Sequence, residues 1–177
     1  KFVYLIPTFG NPSGATLSLE RRKRVLELAV QYETLIVEDD PYGDLYFDQA
    51  PPPSMLALSA QVPGSREWLA HCGSLSKVLS PGLRVGWIAP GRYQDKVEYM
   101  KYVLNLATAT ISQLAVTELL ENGQYERHLR RVRGDYAQAV SRMTEAVIHY
   151  FPEGTKITRP EGGFVIWLEL PGDVDSF

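Results

Sequence analysis

Cys72-Gly73-Ser74-Leu75-Ser76-Lys77-Val78-Leu79-Ser80-Pro81-Gly82-Leu83-Arg84-Val85-Gly86-Trp87 sets one lysine beside two serines and, past a Ser-Pro-Gly turn, an arginine seven residues further on. A short apolar run precedes the stretch (Trp68, Leu69, Ala70) and another follows it (Val85 to Ala89), so it reads as strand, loop, strand with Lys77 held in the loop. A loop that only connects two strands has little use for a long cation among hydroxyls and a second cation fixed nearby. Two cations and two hydroxyls are a donor set suited to cradling a phosphate. Ser-x-Ser-Lys by itself is a weak motif, and a lone loop lysine reads as a solvated charge. Whether Lys77 belongs to the cradle or reacts stays open on this stretch alone.

Two further polar clusters change the balance. Asn11-Pro12-Ser13-Gly14 follows an apolar run (Phe2 to Ile6), and Glu38-Asp39-Asp40-Pro41-Tyr42 follows another (Thr34 to Val37). Three clusters thus each begin where a strand ends, and in an open α/β sheet ligands sit outside the carboxyl ends of the strands. Each cluster has a plainer reading: Asn-Pro initiates a turn, and Asp39 or Asp40 caps one before Pro41.

Asn-Pro-x-Gly, then Asp-x-x-Tyr, then Ser-x-Ser-Lys with an arginine seven residues later, in that order, resembles the pyridoxal-phosphate enzymes of fold type I, specifically the class I/II aminotransferases. The resemblance covers nearly the whole chain. It implies an α/β fold, a three-layer αβα arrangement around a mainly parallel sheet with the start of a small α+β domain. Residues 1–123 correspond to the C-terminal part of the large cofactor domain, 124–150 to a long interdomain helix and 151–177 to the beginning of the small domain. It also implies the cofactor, pyridoxal 5'-phosphate, and the small molecules handled, an amino acid and a 2-oxo acid.

Roles follow from the resemblance residue by residue. Lys77 bonds covalently to the cofactor aldehyde and later moves a proton, and Asp39 meets the pyridine nitrogen. Asn11 and Tyr42 donate to the phenolic oxygen of the ring, while Ser74, Ser76 and Arg84 anchor the phosphate. Three carboxylates in a row repel one another unless a cation or a protonated group meets them, and the resemblance assigns that meeting to Asp39. The isomer of the Asn11–Pro12 bond is open.

Along the rest of the chain, Ser18 caps a helix with the apolar face Val25, Leu28, Ala29 and Tyr32, and the charges Glu20 to Arg24 form its solvated side. With the buried strand at Leu35 to Val37 this makes a strand-helix-strand unit, hence a parallel sheet. Gly43 to Ser54, with Pro51-Pro52-Pro53, is a stiff irregular loop. A helix is expected from Tyr93 to about Leu104 with Val97, Met100 and Leu104 facing inward, and a second through Ile111, Leu114, Ala115 and Leu119 to a stop at Asn122-Gly123. Leu129, Val132, Tyr136, Val140, Met143, Val147 and Tyr150 predict one long helix from Gln124 to Tyr150. Arg127, Arg130, Arg131 and Arg133 on its first turns read as a solvated face or an interface. Ile157 begins a short strand, and Phe164 to Leu170 reads as another after the turn Glu161-Gly162-Gly163.

Composition narrows the classes. The 177 residues carry 18 Lys and Arg against 21 Asp and Glu, a net charge of −3 that disfavours nucleic acid as a direct partner of the Arg cluster. The lone cysteine, Cys72, excludes an internal disulfide framework, fits a reducing cytoplasm and reads as a small buried strand-end residue. No apolar run is long enough to cross a bilayer, and no metal site is expected, since His128 and His149 lack partners at ligand spacing. The chain opens inside a strand at Lys1-Phe2-Val3-Tyr4 and stops at Asp175-Ser176-Phe177, so it is expected to be an internal piece of a longer protein; the resemblance implies a homodimeric parent and no transaminase activity for the isolated piece.

Two functions of different class fit. One is an amino-acid aminotransferase, similar to the aminoadipate and aromatic group that shares Glu-Asp-Asp-x-Tyr and Ser-Lys-Val-Leu-Ser-Pro-Gly-Leu-Arg-Val. The other is the effector-sensing domain of a GntR/MocR-type bacterial transcription regulator, which Cys72-Gly73-Ser74, Ala107-Thr108-Ala109-Thr110 and His128-Leu129-Arg130-Arg131 resemble. In that case DNA would be reached only through a domain outside this chain.

Overall fold

The computed structural model describes residues 1–172; Asp175, Ser176 and Phe177, the expected end just past a strand, lie outside the described residues. Four strands form the main sheet: β1 (Phe2–Leu5), β2 (Leu35–Asp40), β3 (Leu69–Ser74) and β4 (Gly86–Ala89), in the spatial order β1-β2-β3-β4. β1, β2 and β3 run parallel, and β4 returns antiparallel to β3 with Gly73 opposite Trp87. The mainly parallel α/β arrangement is the one expected. No helix among the described residues is long and apolar enough to cross a membrane.

Helix α1 (Leu19–Gln31) starts at Ser18, whose hydroxyl accepts from the amide of Arg21 as anticipated. Its buried stripe differs from the expected one. Arg22, Leu26 and Ala29 face the sheet, whereas Val25 and Leu28 are half-buried and Tyr32 is exposed. Arg22, expected on the solvated side, is 0 % exposed. The reason is local: its guanidinium donates to the carbonyls of Leu17, Pro7 and Pro53 and to the Thr8 hydroxyl, which satisfies the buried charge inside loops that would otherwise lack donors.

Two apolar cores result. In the first, Leu26 and Ala29 meet Ile36, Leu69, Val62 and the short helix α2 (Met55–Leu58). The second gathers Phe9, Tyr42, Leu45, Leu75 and Val78, all residues just past strand ends, beneath Val116 and Leu129. Those last two come from α4 (Thr110–Glu121) and α5 (Gln124–Tyr150), and α5 has the length read from its periodicity.

The outward helices depart from expectation. In α3 (Gln94–Asn105) Met100 and Leu104 are exposed and Val97 is half-buried; in α4 Ile111, Leu114 and Ala115 are exposed and Val116 is the buried residue. On α5 Met143 and Tyr150 are exposed as well. Periodicity specifies which face of a helix is apolar, not whether any element of this chain lies against it. The final strand is shorter than expected: β6 (Leu168–Glu169) pairs antiparallel with β5 (Lys156–Ile157), and residues 164–167 are irregular.

Candidate active site at the carboxyl ends of the strands

Strand alternation resolves the crowding of Glu38, Asp39 and Asp40. Successive side chains point to opposite faces, so Glu38 and Asp40 share the face of Ile36 and α2 while Asp39 projects from the other. Glu38, 0 % exposed, accepts from the amides of Met55 and Leu56 at 2.7 and 3.1 Å and lies 2.8 Å from Nδ1 of His71, its register partner on β3. The bond to Glu38 raises His71 above the ordinary imidazole range, and burial raises Asp40, whose Oδ1 accepts from the Gly43 amide. Asp40 thus caps a turn, and Glu38 anchors the start of α2.

Asp39 faces a different set. Its Oδ2 accepts a hydrogen bond from the hydroxyl of Tyr4, and Cys72 is its register partner on β3. Tyr4 also lines a cavity of about 320 Å³ together with Asn11, Gly10, Ser13 and Thr16. Asn11 is exposed, and its bond to Pro12 is cis. Tyr42 lies close enough to Tyr4 to contribute, least of several causes, to raising its phenol. Cys72 is half-buried rather than fully buried, and burial raises its thiol.

Tyr42 is 5 % exposed, its ring meeting that of Phe164 edge to face with centroids 5.5 Å apart and its body in one core with Leu75 and Val78. Among the described residues its hydroxyl makes no hydrogen bond. Leu75 and Val78 are the residues that bury the turn carrying Lys77, and the Leu79 and Ser80 amides both return to the Leu75 carbonyl to close it. From the opposite side His128 Nε2 of α5 lies 2.8 Å from the Val78 carbonyl. Lys77 itself is exposed, with its amine in no ion pair among the described residues.

Ser74, Ser76 and Arg84 line one cavity of about 390 Å³, floored by Gly73 and Gly86 and walled by Trp87, Lys101, Asn105 and Thr108. The Ser74 hydroxyl accepts from the Ser76 amide, which leaves its proton to donate. Arg84 sits in the left-handed region at φ 54, ψ 37, a conformation costing a residue with a side chain roughly 1–2 kcal/mol. Its Nη1 donates to the Pro81 carbonyl, and its remaining donors meet no partner among the described residues.

Seven residues were singled out in the sequence, and three of them share this cavity. Asn11 and Asp39 are linked through Tyr4, and Tyr42 joins the Lys77 turn through a shared core; the Lys77 amine touches none of the other six. A guanidinium and two hydroxyls fit a phosphate monoester, and an acceptor carboxylate fits a protonated ring nitrogen, so the residues suit a pyridoxal phosphate. No group of three or more His, Cys, Asp or Glu among the described residues could hold a metal ion.

Tyr4, Arg22, Glu38 and His71 were missed. Arg22 carried a faint signal, standing four and seven residues before Leu26 and Ala29 on one stripe, and Glu38 stands two after the buried Ile36. Tyr4 carried none, because its partner lies 35 residues away.

The family model described as aminotransferase class I and II matches residues 2–176. The chain is 38% identical over 177 residues to aromatic-amino-acid aminotransferase 1 of Thermococcus litoralis, covering 99% of this chain and 41% of that protein. It is 39% identical over 175 residues to the uncharacterized HTH-type transcriptional regulator YjiR of Escherichia coli, covering 99% of this chain and 36% of that one. Among solved structures it superposes with a TM-score of 0.91 and 37% identity on the α-aminoadipate aminotransferase LysN of Thermus thermophilus complexed with N-(5'-phosphopyridoxyl)-L-leucine, over 99% of this chain and 44% of that one. The chain therefore spans less than half the length of these relatives.

Proposed function

The chain belongs to the class I and II aminotransferase family, and from that premise we propose that it carries the cofactor-holding residues of a protein that moves an amino group from an amino acid to a 2-oxo acid. The observation that carries this reading is the convergence of Ser74, Ser76 and Arg84 on one cavity, with the exposed Lys77 next after Ser76 in the chain. When bound, pyridoxal 5'-phosphate supplies an aldehyde that captures the amino group and a ring that takes up the electrons of the broken C–H bond.

Each residue has a task in that chemistry. Arg84 and the two serines bind the phosphate, which fixes the ring at one end. Asp39 would hold the proton of the ring nitrogen, and Asn11 and the Tyr42 hydroxyl, which has no partner among the described residues, would donate to the ring oxygen. Lys77 Nζ would be the covalent anchor and, when its amine is free, the base that carries a proton between the substrate α-carbon and the cofactor's aldehyde carbon. The strained backbone of Arg84 aims a fixed cation at the phosphate, which is a reason for a non-glycine residue to hold that conformation. Residues 1–123 serve in the large domain, α5 crosses between domains and residues from 151 open the small one. The family resemblance also supports a cytoplasmic homodimer.

The test is covalent trapping. In the whole protein, borohydride treatment with pyridoxal 5'-phosphate is expected to add the cofactor's mass at Lys77, and Lys77→Ala to abolish both the adduct and amino transfer. An adduct at another lysine in the wild type sinks the assignment.

The similarity to YjiR favours a second reading, a cofactor-holding, effector-sensing domain in a transcription regulator. The two separate on turnover: an enzyme converts an amino acid and a 2-oxo acid, whereas a regulator traps the cofactor at Lys77 and changes its DNA affinity when an amino acid is added, without steady-state transfer.

A further inference from the structure

We infer that Tyr4 is a positioning residue for Asp39, its hydroxyl fixing Oδ2 of the carboxylate so that Oδ1 is left for the ring nitrogen. This rests on the reading above that Asp39 meets that nitrogen. Tyr4 stands opposite Val37 in the β1–β2 register, so Tyr4 and Asp39 project from the same face, one diagonal step apart on neighbouring strands. That diagonal is within the reach of an aromatic side chain, and the phenol spans it to donate to Oδ2. Among the described residues Oδ1 accepts no hydrogen bond.

A carboxylate at the end of a strand turns freely, because its last torsion is broad and two-fold. One donor on one oxygen removes that freedom, as a held acceptor in a reaction requires. The other neighbours do not compete for the task. Cys72, across the strand pair, carries a thiol that burial raises, a weak donor at best, and Glu38 and Asp40 point to the opposite face. The bond to Asp39 is also the first cause that pushes the Tyr4 phenol up to about 12, so it remains a donor over the whole working range of pH.

Two readouts test the assignment, one of them free of cofactor. The Tyr4 phenol is isolated in the whole protein as the difference between the alkaline absorbance titrations of wild type and Tyr4→Phe. Its midpoint is expected near 12 in the wild type and to fall toward 10.0 in Asp39→Ala. With pyridoxal 5'-phosphate bound, Tyr4→Phe is expected to shift the pH profile of the cofactor's absorbance by about one unit. It should also lower kcat about tenfold, the scale of one hydrogen bond to a charged group, with KM within about twofold.

A phenol that titrates alike with and without the Asp39 carboxylate overturns the proposal while leaving the trapping of cofactor at Lys77 untouched. A Tyr4→Phe protein with unchanged absorbance profile and unchanged kcat overturns it too. If the phenol responds to Asp39 but no cofactor is trapped at Lys77, the functional reading has failed, and with it the positioning role, although the contact stands.

Discussion

His71 Nδ1 lies 2.8 Å from Oε2 of Glu38, both side chains buried and facing each other across neighbouring parallel strands. Glu38 also accepts from two α2 amides, so this carboxylate ties β2, β3 and α2 together directly behind Asp39. A rigid strand end on one face is what allows the next residue along to present a group to a ligand on the other.

The pair makes stability depend on pH in a definite sense. His71 is raised in the folded state, first by its bond to Glu38, so its contribution is complete below the ordinary value of 6.5 and is lost as pH rises through the raised one. Asp40, raised by burial, has the same sign, its contribution being lost as pH rises above 3.8. The stability difference between wild type and His71→Gln, measured by thermal or urea denaturation, should therefore be largest near about pH 5 and shrink by on the order of 1 kcal/mol toward about pH 9. A difference that grows with pH would contradict this linkage.

Arg22 is expected to behave as a core residue. Arg22→Met removes the donors to three carbonyls and one hydroxyl and should cost about 3–5 kcal/mol, read as a lower urea midpoint at unchanged slope. Arg22→Lys should fall between the two, because an ammonium cannot span acceptors that a planar fork reaches together. A loss below about 0.5 kcal/mol for Arg22→Met would mark it as an ordinary surface residue.

Two glycines should respond in opposite ways to alanine. At Gly162 a Cβ would stand 2.4 Å from the Phe9 ring and 2.8 Å from the Leu45 carbonyl, where the chain from Glu161 to Gly163 docks on residues 45–47. Gly162→Ala should destabilise by about 1–3 kcal/mol. At Gly134, inside α5, a Cβ meets nothing within 4 Å, and Gly134→Ala should stabilise by roughly 0.5–1 kcal/mol. Equal effects of the two in a melting experiment would argue against this docking.

Arg84→Gln is expected to weaken pyridoxal 5'-phosphate binding by about 10- to 100-fold, the loss of a charge-assisted contact, while leaving the affinity for unphosphorylated pyridoxal unchanged. Equal losses for both ligands in fluorescence titrations would place Arg84 away from the phosphate.

Much of this was legible before any coordinates. Runs such as Leu35 to Val37 and the apolar positions of α5 gave the strands and the long helix, because periodicity reflects a residue's own geometry. Ser74, Ser76 and Arg84 could be grouped because all lie within one short loop and its flanking strands. The buried state of Arg22 was only faintly legible, in its spacing from Leu26 and Ala29, since its acceptors come from three separate segments, and the exposure of Leu104 and Ile111 was not legible, since an apolar face does not name its cover.

By itself the sequence determined which residue types follow each strand and hence which chemistry the strand ends could hold. Tertiary structure alone decided the partners: which of three adjacent carboxylates turns toward Tyr4 and which toward His71. The physical reason is that strand alternation divides neighbours between two faces, while the register that brings residues 4 and 39 or 38 and 71 together is a property of chains lying side by side.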